Sequence, residues 1–174
     1  MDLKKTIRTV MDFPKKGIGF KDITTLLVNG PALHQAIRDM AEPFRKSNAA
    51  KIVSIESRGF IFGMPMAYEL GLGFVPVRKP KKLPAATVAE TYALEYGTDS
   101  IEIHKDAIVP GEKVLLVDDL LATGGTMEAA VRLVKKLGGE PVAAAFLIEL
   151  DFLKGREKLP GIPVHSLIHY DSEA

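Results

Sequence analysis

The chain contains no cysteine, which excludes disulfides, thiolate catalysis and cysteine-based metal sites. It has no excess of either charge: 23 Lys and Arg stand against 22 Asp and Glu, a formal net charge of +1. A chain so balanced offers no broad electrostatic field to a nucleic acid or a membrane surface. No apolar run is long enough to span a bilayer, and Met1-Asp2-Leu3-Lys4-Lys5 lacks the apolar core of a secretory signal. Internal repeats, low-complexity tracts and linkers are also missing. These absences set the expectation of a cytoplasmic, reducing environment. What is present is ordinary for a globular protein. The 174 residues are 47% hydrophobic and 26% charged, enough for a single domain over 1–174 with a sizeable core.

One stretch organises the rest, from Lys113 to Thr126. Val114-Leu115-Leu116-Val117 has the length and composition of a buried strand. Asp118 and Asp119 follow at once, then Leu120-Leu121, then the small, hydroxylic Ala122-Thr123-Gly124-Gly125-Thr126. Met127, Ala130, Val131, Val134 and Leu137 recur at helical spacing, and Gly138-Gly139 marks the stop. The reading is strand, acidic turn, phosphate-sized loop, helix. Glycines let the backbone approach a ligand, threonines add hydroxyl donors, and the free N–H groups of a helix start favour an anion. The aspartates repel phosphate but suit the two adjacent hydroxyls of a ribose, and also hydrated magnesium accompanying a diphosphate. A lone acidic turn is usually a capping device, but the whole string describes a site for a ribose 5-phosphate. It is neither a Walker loop nor a Gly-x-Gly-x-x-Gly turn.

The remaining segments build around it. Leu3 to Val10 has the spacing of a short amphipathic helix, and Asp12 to Thr24 reads as an irregular loop. Asn29-Gly30-Pro31 starts a helix to about Arg45. Ile52-Val53-Ser54-Ile55 is a strand whose exit, Glu56-Ser57-Arg58-Gly59, repeats the strand, polar turn and helix arrangement. Arg58 there is a donor fork suited to a second phosphate. Phe74 to Val77 is a strand leading into Arg78-Lys79-Pro80-Lys81-Lys82, and Val142 to Ile148 and Pro163 to Ile168 are two more. Residues 85–104 read as a polar hairpin with too little apolar content for a core pair, that is, a flap. His34, His104, His165 and His169 lack metal-ligand spacing. Strands alternating with helices imply α/β architecture, with a doubly wound, mostly parallel sheet.

The central string resembles the signature of the type I phosphoribosyltransferases, which bind 5-phosphoribosyl 1-diphosphate (PRPP). Asp12-Phe13-Pro14, Phe20 to Thr24, Glu56 to Phe60, Val77-Arg78-Lys79, Leu94 to Gly97 and Phe152 to Arg156 extend that resemblance over nearly the whole chain, to the adenine branch of the family. The resemblance implies a purine-salvage reaction of adenine and PRPP giving AMP and pyrophosphate, with Mg²⁺ held mainly by PRPP and water and no direct protein ligand. It implies the 5-phosphate on Ala122, Thr123, Gly124, Gly125 and Thr126, and the ribose on Asp118 and Asp119. Pyrophosphate falls to Glu56, Ser57 and Arg58, across a cis peptide between the first two, with Arg78, Lys79 and Lys82. A small N-terminal hood over about 1–30 covers the base, which stacks between Phe20 and Leu120 and is read by backbone near Gly19 and Lys21. The flap, about 79–104 and flexible, brings Glu95 as acid/base and Tyr96 as a positioning group. A homodimer is also implied. The chain departs from the family at Lys16 (often Pro), Gly19 (a bulkier apolar residue), Lys21 (Arg) and Lys81 (Gly). Alternatives are transfer to another purine base, or a PRPP-sensing regulator without catalysis. Against a six-oxopurine enzyme, almost nothing follows Ile168 to build a C-terminal hood bearing a cation.

Overall fold

The computed structural model describes residues 1–94 and 97–173. Its frame is a five-stranded parallel sheet built from β3 (Lys51–Ile55), β4 (Gly73–Val77), β7 (Lys113–Leu121), β8 (Glu140–Leu150) and β9 (Val164–Tyr170), in the order β4-β3-β7-β8-β9. The strands are rich in Val, Ile, Leu and Ala because both faces are covered, as parallel sheets require. Helices α2 (Gly30–Ala41) and α3 (Arg58–Leu70) pack on one face, over Ile52, Leu115 and Val117. Helix α4 (Gly125–Lys136) packs on the other, over Val53, Leu116 and Ala144. The α/β, doubly wound expectation holds. No described helix is long and apolar enough to cross a membrane.

The winding direction positions the site. From β3 the chain crosses through α3 to β4 on one side; from β7 it crosses through α4 to β8 on the other. The crevice between the carboxyl ends of β3 and β7 is therefore the switch point where open α/β sheets bind ligands. β7 pairs with β3 only as far as Ser54↔Val117, then continues beside β8 through Leu121. The expected acidic turn is thus corrected: Asp118 and Asp119 lie within the strand, past the end of its β3 neighbour. Ser54 marks that end, donating its buried hydroxyl to the Val117 carbonyl at 2.9 Å.

Two antiparallel pairs flank this frame. At the N-terminus the expected amphipathic helix is a 3₁₀ turn, Leu3–Thr6, followed by β1 (Arg8–Met11). β1 pairs with β2 (Gly19–Asp22), inside the segment read as irregular. Four-residue strands with a Pro- and Gly-containing connection carry little periodicity, so this ribbon was illegible. Asp22 ties its end down by accepting from Thr24 and Arg8, contacts that lower its pKa to about 2. A four-residue helix, α1 (Thr24–Leu27), follows. The second pair, β5 (Thr87–Ala93) with β6 (Thr98–His104), is the expected hairpin. Its stems are not a loose flap, however. Tyr92, Ile101 and Ile103 are buried against α4, and Glu90 holds Arg132 at 3.1 Å and Lys136 at 2.6 Å. Only alternate residues face inward, so average composition understated the packing. Lys81 has φ +66°, a conformation glycine adopts without cost.

Candidate active site

A cleft of about 470 Å³ opens at the switch point, lined by Ile55, Glu56, Ser57, Arg58, Lys79, Tyr92, Asp118, Asp119, Leu120 and Thr126. The structure therefore brings together eight of the residues singled out in the sequence: Glu56, Ser57, Arg58, Lys79, Asp118, Asp119, Leu120 and Thr126. A smaller recess of about 90 Å³ continues it, walled by Asp118 and by Leu120 to Met127.

Local packing makes both walls. On the β3 side, α3 begins at Arg58, and Gly59 lets it approach the acidic pair. A Cβ on Gly59 would stand 2.7 Å from Asp118 Oδ1. The Glu56–Ser57 peptide is cis, as expected. On the β7 side, Gly124 caps α4 with φ +83°, and the loop is pressed against another turn. A Cβ on Gly124 would stand 2.4 Å from the Gly155 carbonyl oxygen, and one on Gly155 would stand 2.3 Å from that of Ala122. The 152–156 string therefore supports the 122–126 loop. Arg156 anchors that support by forking onto buried Glu149 at 2.5 and 2.7 Å, while Ser166 donates to Glu149 at 2.6 Å.

Charge is paired across the cleft. Arg58 Nε meets Asp119 Oδ2 at 2.7 Å, so the expected pyrophosphate grip is held by an expected ribose acceptor. Asp118 accepts from the Asp119 N–H at 2.8 Å. Burial first, and the neighbouring Asp119 charge second, push the Asp118 carboxyl well above the usual carboxylate range. Two adjacent carboxylates here resist holding two charges.

Other residues take different places. Arg78 does not line the cleft. Its Nη2 donates to Glu56 Oε2 at 3.1 Å and its Nη1 to the Lys82 carbonyl at 3.4 Å, so it braces the turn. Burial raises the Glu56 pKa, but hydrogen bonds from the Lys79 N–H and Arg78 outweigh it and hold the group low. The Lys82 side chain is exposed and outside the lining. Lys79 points into the cleft and is bonded to Asp99 and, at 3.2 Å, to the Tyr92 hydroxyl. Those bonds raise its pKa against the opposing effect of burial. Tyr92 and Asp99, both on the hairpin, went unnoticed in the sequence because only the fold brings them to Lys79. Glu95 and Tyr96 lie outside the described residues.

Phe20 reaches the cleft through Arg58, whose guanidinium lies 5.4 Å from the ring centre, while Leu120 forms part of the lining. Gly19 and Lys21 stand on the other face of β2. Lys21 is buried there over Tyr170, 4.2 Å from the ring centre. The segment after Ile168, read as too short to build a C-terminal hood, reaches the N-terminal one through Glu173. A further residue missed is Lys158. It joins Thr123, Gly125 and Thr126 of the loop with Tyr92, Ala93 and Leu94 of the hairpin around a second hollow of about 470 Å³. The oxygen donors of Asp118 and Asp119 suit a hydrated hard cation riding on a diphosphate. The one metal-compatible cluster among the described residues, Glu149, Asp151 and His169, is outside the cleft lining, and its carboxylates are already hydrogen-bonded within the fold.

Residues 24–160 match the phosphoribosyl transferase domain, and the chain belongs to that family. An adenine phosphoribosyltransferase of Acidobacterium capsulatum is 60% identical over 168 residues, covering 97% of this chain and 93% of the relative. The crystal structure of adenine phosphoribosyltransferase from Thermoanaerobacter pseudethanolicus superposes with a TM-score of 0.94 at 53% identity, covering 97% of this chain and 98% of that one. The Saccharomyces cerevisiae enzyme, complexed with an imino-altritol bisphosphate and adenine, gives a TM-score of 0.89 at 43% identity over 95% of this chain and 96% of that one. Within the family, the chain stands among the adenine phosphoribosyltransferases.

Proposed function

We propose that the protein transfers the 5-phosphoribosyl group of PRPP to N9 of adenine, forming AMP and pyrophosphate. The observation that carries this reading is the convergence of two anion-ready turns and an acidic pair at one switch point, between β3 and β7. The recess at 122–126 receives the 5-phosphate on backbone N–H groups and hydroxyls. Asp118 and Asp119 accept from the ribose hydroxyls. Arg58 exchanges Asp119 for pyrophosphate oxygens, and Lys79 adds its charge as the leaving group develops its own. Arg78 acts through Glu56, keeping the turn in shape; Lys82 contributes from the rim. Asp118 and Asp119 would help hold the hydrated magnesium that accompanies PRPP, and that ion would supply further neutralisation of the diphosphate. The base sits between Phe20 and Leu120, read by the backbone of β2.

C1 of the ribose gains oxocarbenium character as pyrophosphate departs, and the base loses a proton, for which Glu95 is the acceptor. The hairpin stem that leads to Glu95 and Tyr96 is tied to the cleft through Asp99, Tyr92 and Lys79, so the residue offered to pyrophosphate is held by the same element that carries the acid/base. A cytoplasmic homodimer completes the reading. The test is nucleotide formation from PRPP and Mg²⁺ with adenine, hypoxanthine, guanine and xanthine in parallel, alongside Glu95→Gln. AMP from adenine alone, reduced roughly 100-fold or more in the variant, is expected. Turnover of another base instead would make it a different purine transferase. PRPP binding without product would make it a sensor.

A further inference from the structure

The segment after β9 is bound to the hood through three matched contacts. Glu173 Oε2 accepts from the Gly19 N–H at 2.9 Å, and the Glu173 carbonyl accepts from Lys21 Nζ at 3.0 Å. The third contact is one of shape: a Cβ on Gly19 would stand 1.9 Å from that carbonyl oxygen, so a side chain at 19 and this tail exclude each other. Gly19 and Lys21, two residues apart on one side of β2, therefore both meet the same tail residue.

The edge of β2 that Glu173 occupies is the informative point. Gly19 opposes Met11 in the ribbon, yet its N–H is directed to Glu173 and hence away from β1. In an antiparallel pair, a residue's N–H and C=O face the same side, as do those of the residue two along. The outward edge of β2 therefore presents, in order, the Gly19 N–H, the Gly19 C=O, the Lys21 N–H and the Lys21 C=O. On the proposed reading, the middle two meet the 6-amino group and N1 of the purine. The Gly19 N–H beside them already carries a carboxylate, whose Oε1 makes no hydrogen bond among the described residues.

We infer that Glu173 is a specificity-determining residue, holding a carboxylate oxygen beside the purine 6-position to accept from an exocyclic amino group and repel a 6-oxo group. The inference rests on the adenine-transfer reading. The amino group of adenine has two N–H donors, and a strand carbonyl satisfies only one. A carboxylate is acceptor-only, so it gains from the second donor and is repelled by a carbonyl oxygen at the same place. This tail brings an anion to the hood, the opposite of what a 6-oxopurine site needs.

Side-chain chemistry gives the test a signature. In Glu173→Gln the Gly19 N–H takes the amide oxygen, which leaves the amide NH₂ facing the base. A donor then stands where an acceptor stood, so the variant disfavours adenine and favours hypoxanthine. Glu173→Ala removes both. The experiment measures kcat and KM for adenine and hypoxanthine with saturating PRPP in the wild type, the two variants and a chain ending at Asp171. The adenine-to-hypoxanthine ratio of kcat/KM should fall roughly 10- to 100-fold in Glu173→Gln, and less in Glu173→Ala and the shortened chain. The loss should lie in the KM of the base, with the KM for PRPP unchanged. A ratio within about twofold of wild type in all three overturns the inference and leaves adenine transfer standing. Faster adenine turnover on removal of the tail also overturns it, since Glu173 would then obstruct the base. A wild type that makes no AMP removes the adenine-transfer reading and this inference with it.

Discussion

The two anion-ready turns look alike in the sequence, each being a strand exit followed by a helix, yet they are built differently. The 122–126 loop is fixed by packing. Gly124 and Gly155 are pressed together, Arg156 and Glu149 anchor the supporting turn, and the loop offers backbone and hydroxyl groups. The 56–58 turn is fixed by charge: Arg58 on Asp119, and Glu56 on Arg78 and the Lys79 N–H. Packing cannot be exchanged for a ligand, whereas an ion pair can. On the proposed reading, the first turn is a permanent cradle for a group that stays bound through the reaction, the 5-phosphate. The second is then a wall of exchangeable partners for the group that arrives as diphosphate and leaves as pyrophosphate.

The sharpest break in the fixed cradle is Gly124→Val. It puts a β-branched residue at φ +83° and a Cβ 2.4 Å from a backbone oxygen. Neither can be relieved by rotating a side chain. The expected cost is about 2–4 kcal/mol of stability, or roughly 5–15 °C in Tm, with at least a ~100-fold loss of kcat/KM. Calorimetry and initial rates check it. A variant with wild-type rates would show that the loop does not depend on this close approach.

Beside the charged turn, at Asp118 on β7, the expected break has the opposite sign for stability. The Asp118 pKa is raised on folding, above its ordinary value of 3.8. Below that value the group is protonated in both states and the shift costs nothing. As pH rises past it, the unfolded chain gains by ionising while the fold resists, and the penalty grows until the folded pKa is passed. Asp118→Asn removes that penalty. It should raise Tm by a few degrees at neutral pH, with the gain vanishing below about pH 3.8, while kcat/KM for PRPP falls roughly tenfold or more. A Tm gain that is constant with pH would mean that ionisation is not its source. A variant less stable at neutral pH would show that Arg58 needs both carboxylates.

The same contrast explains what the sequence revealed. Val114 to Val117, the Asp pair and the 122–126 string are contiguous, so strand, acceptors and cradle could be read off one line. Arg58 was legible because its turn repeats that pattern. Its partner was not: Asp119 lies 61 positions away, and only the β3–β7 register brings the two together. The role of Arg78 as a brace, the Lys79–Tyr92–Asp99 cluster and the contact of Glu173 with Gly19 are likewise products of topology. The β1–β2 ribbon was missed for another reason. Its four-residue strands are too short for alternation to stand out from a loop.

Lys158 sharpens the comparison by the smallest effect. The fixed cradle has no cation of its own in 122–126, and the turn that supports it supplies one from outside. The Nζ of Lys158 would be 3.7 Å from a Cβ on Gly125, the first residue of α4, and the side chain is exposed. An exposed charge beside a phosphate acts through solvent, so its contribution is modest and screened by salt. Lys158→Ala should raise the KM for PRPP about three- to fivefold at low ionic strength and lose most of that effect near 0.5 M salt, roughly where the Debye length falls below 5 Å. The KM for the base should not move, Lys158→Arg should restore the wild-type value, and Lys135→Ala, an exposed lysine at the far end of α4, should be silent. A Lys158→Ala defect that persists unchanged in high salt would instead mean that the side chain packs the loop in place. The 152–158 turn would then belong wholly to the packed half of the site, and the fixed cradle would hold its phosphate without any counter-charge.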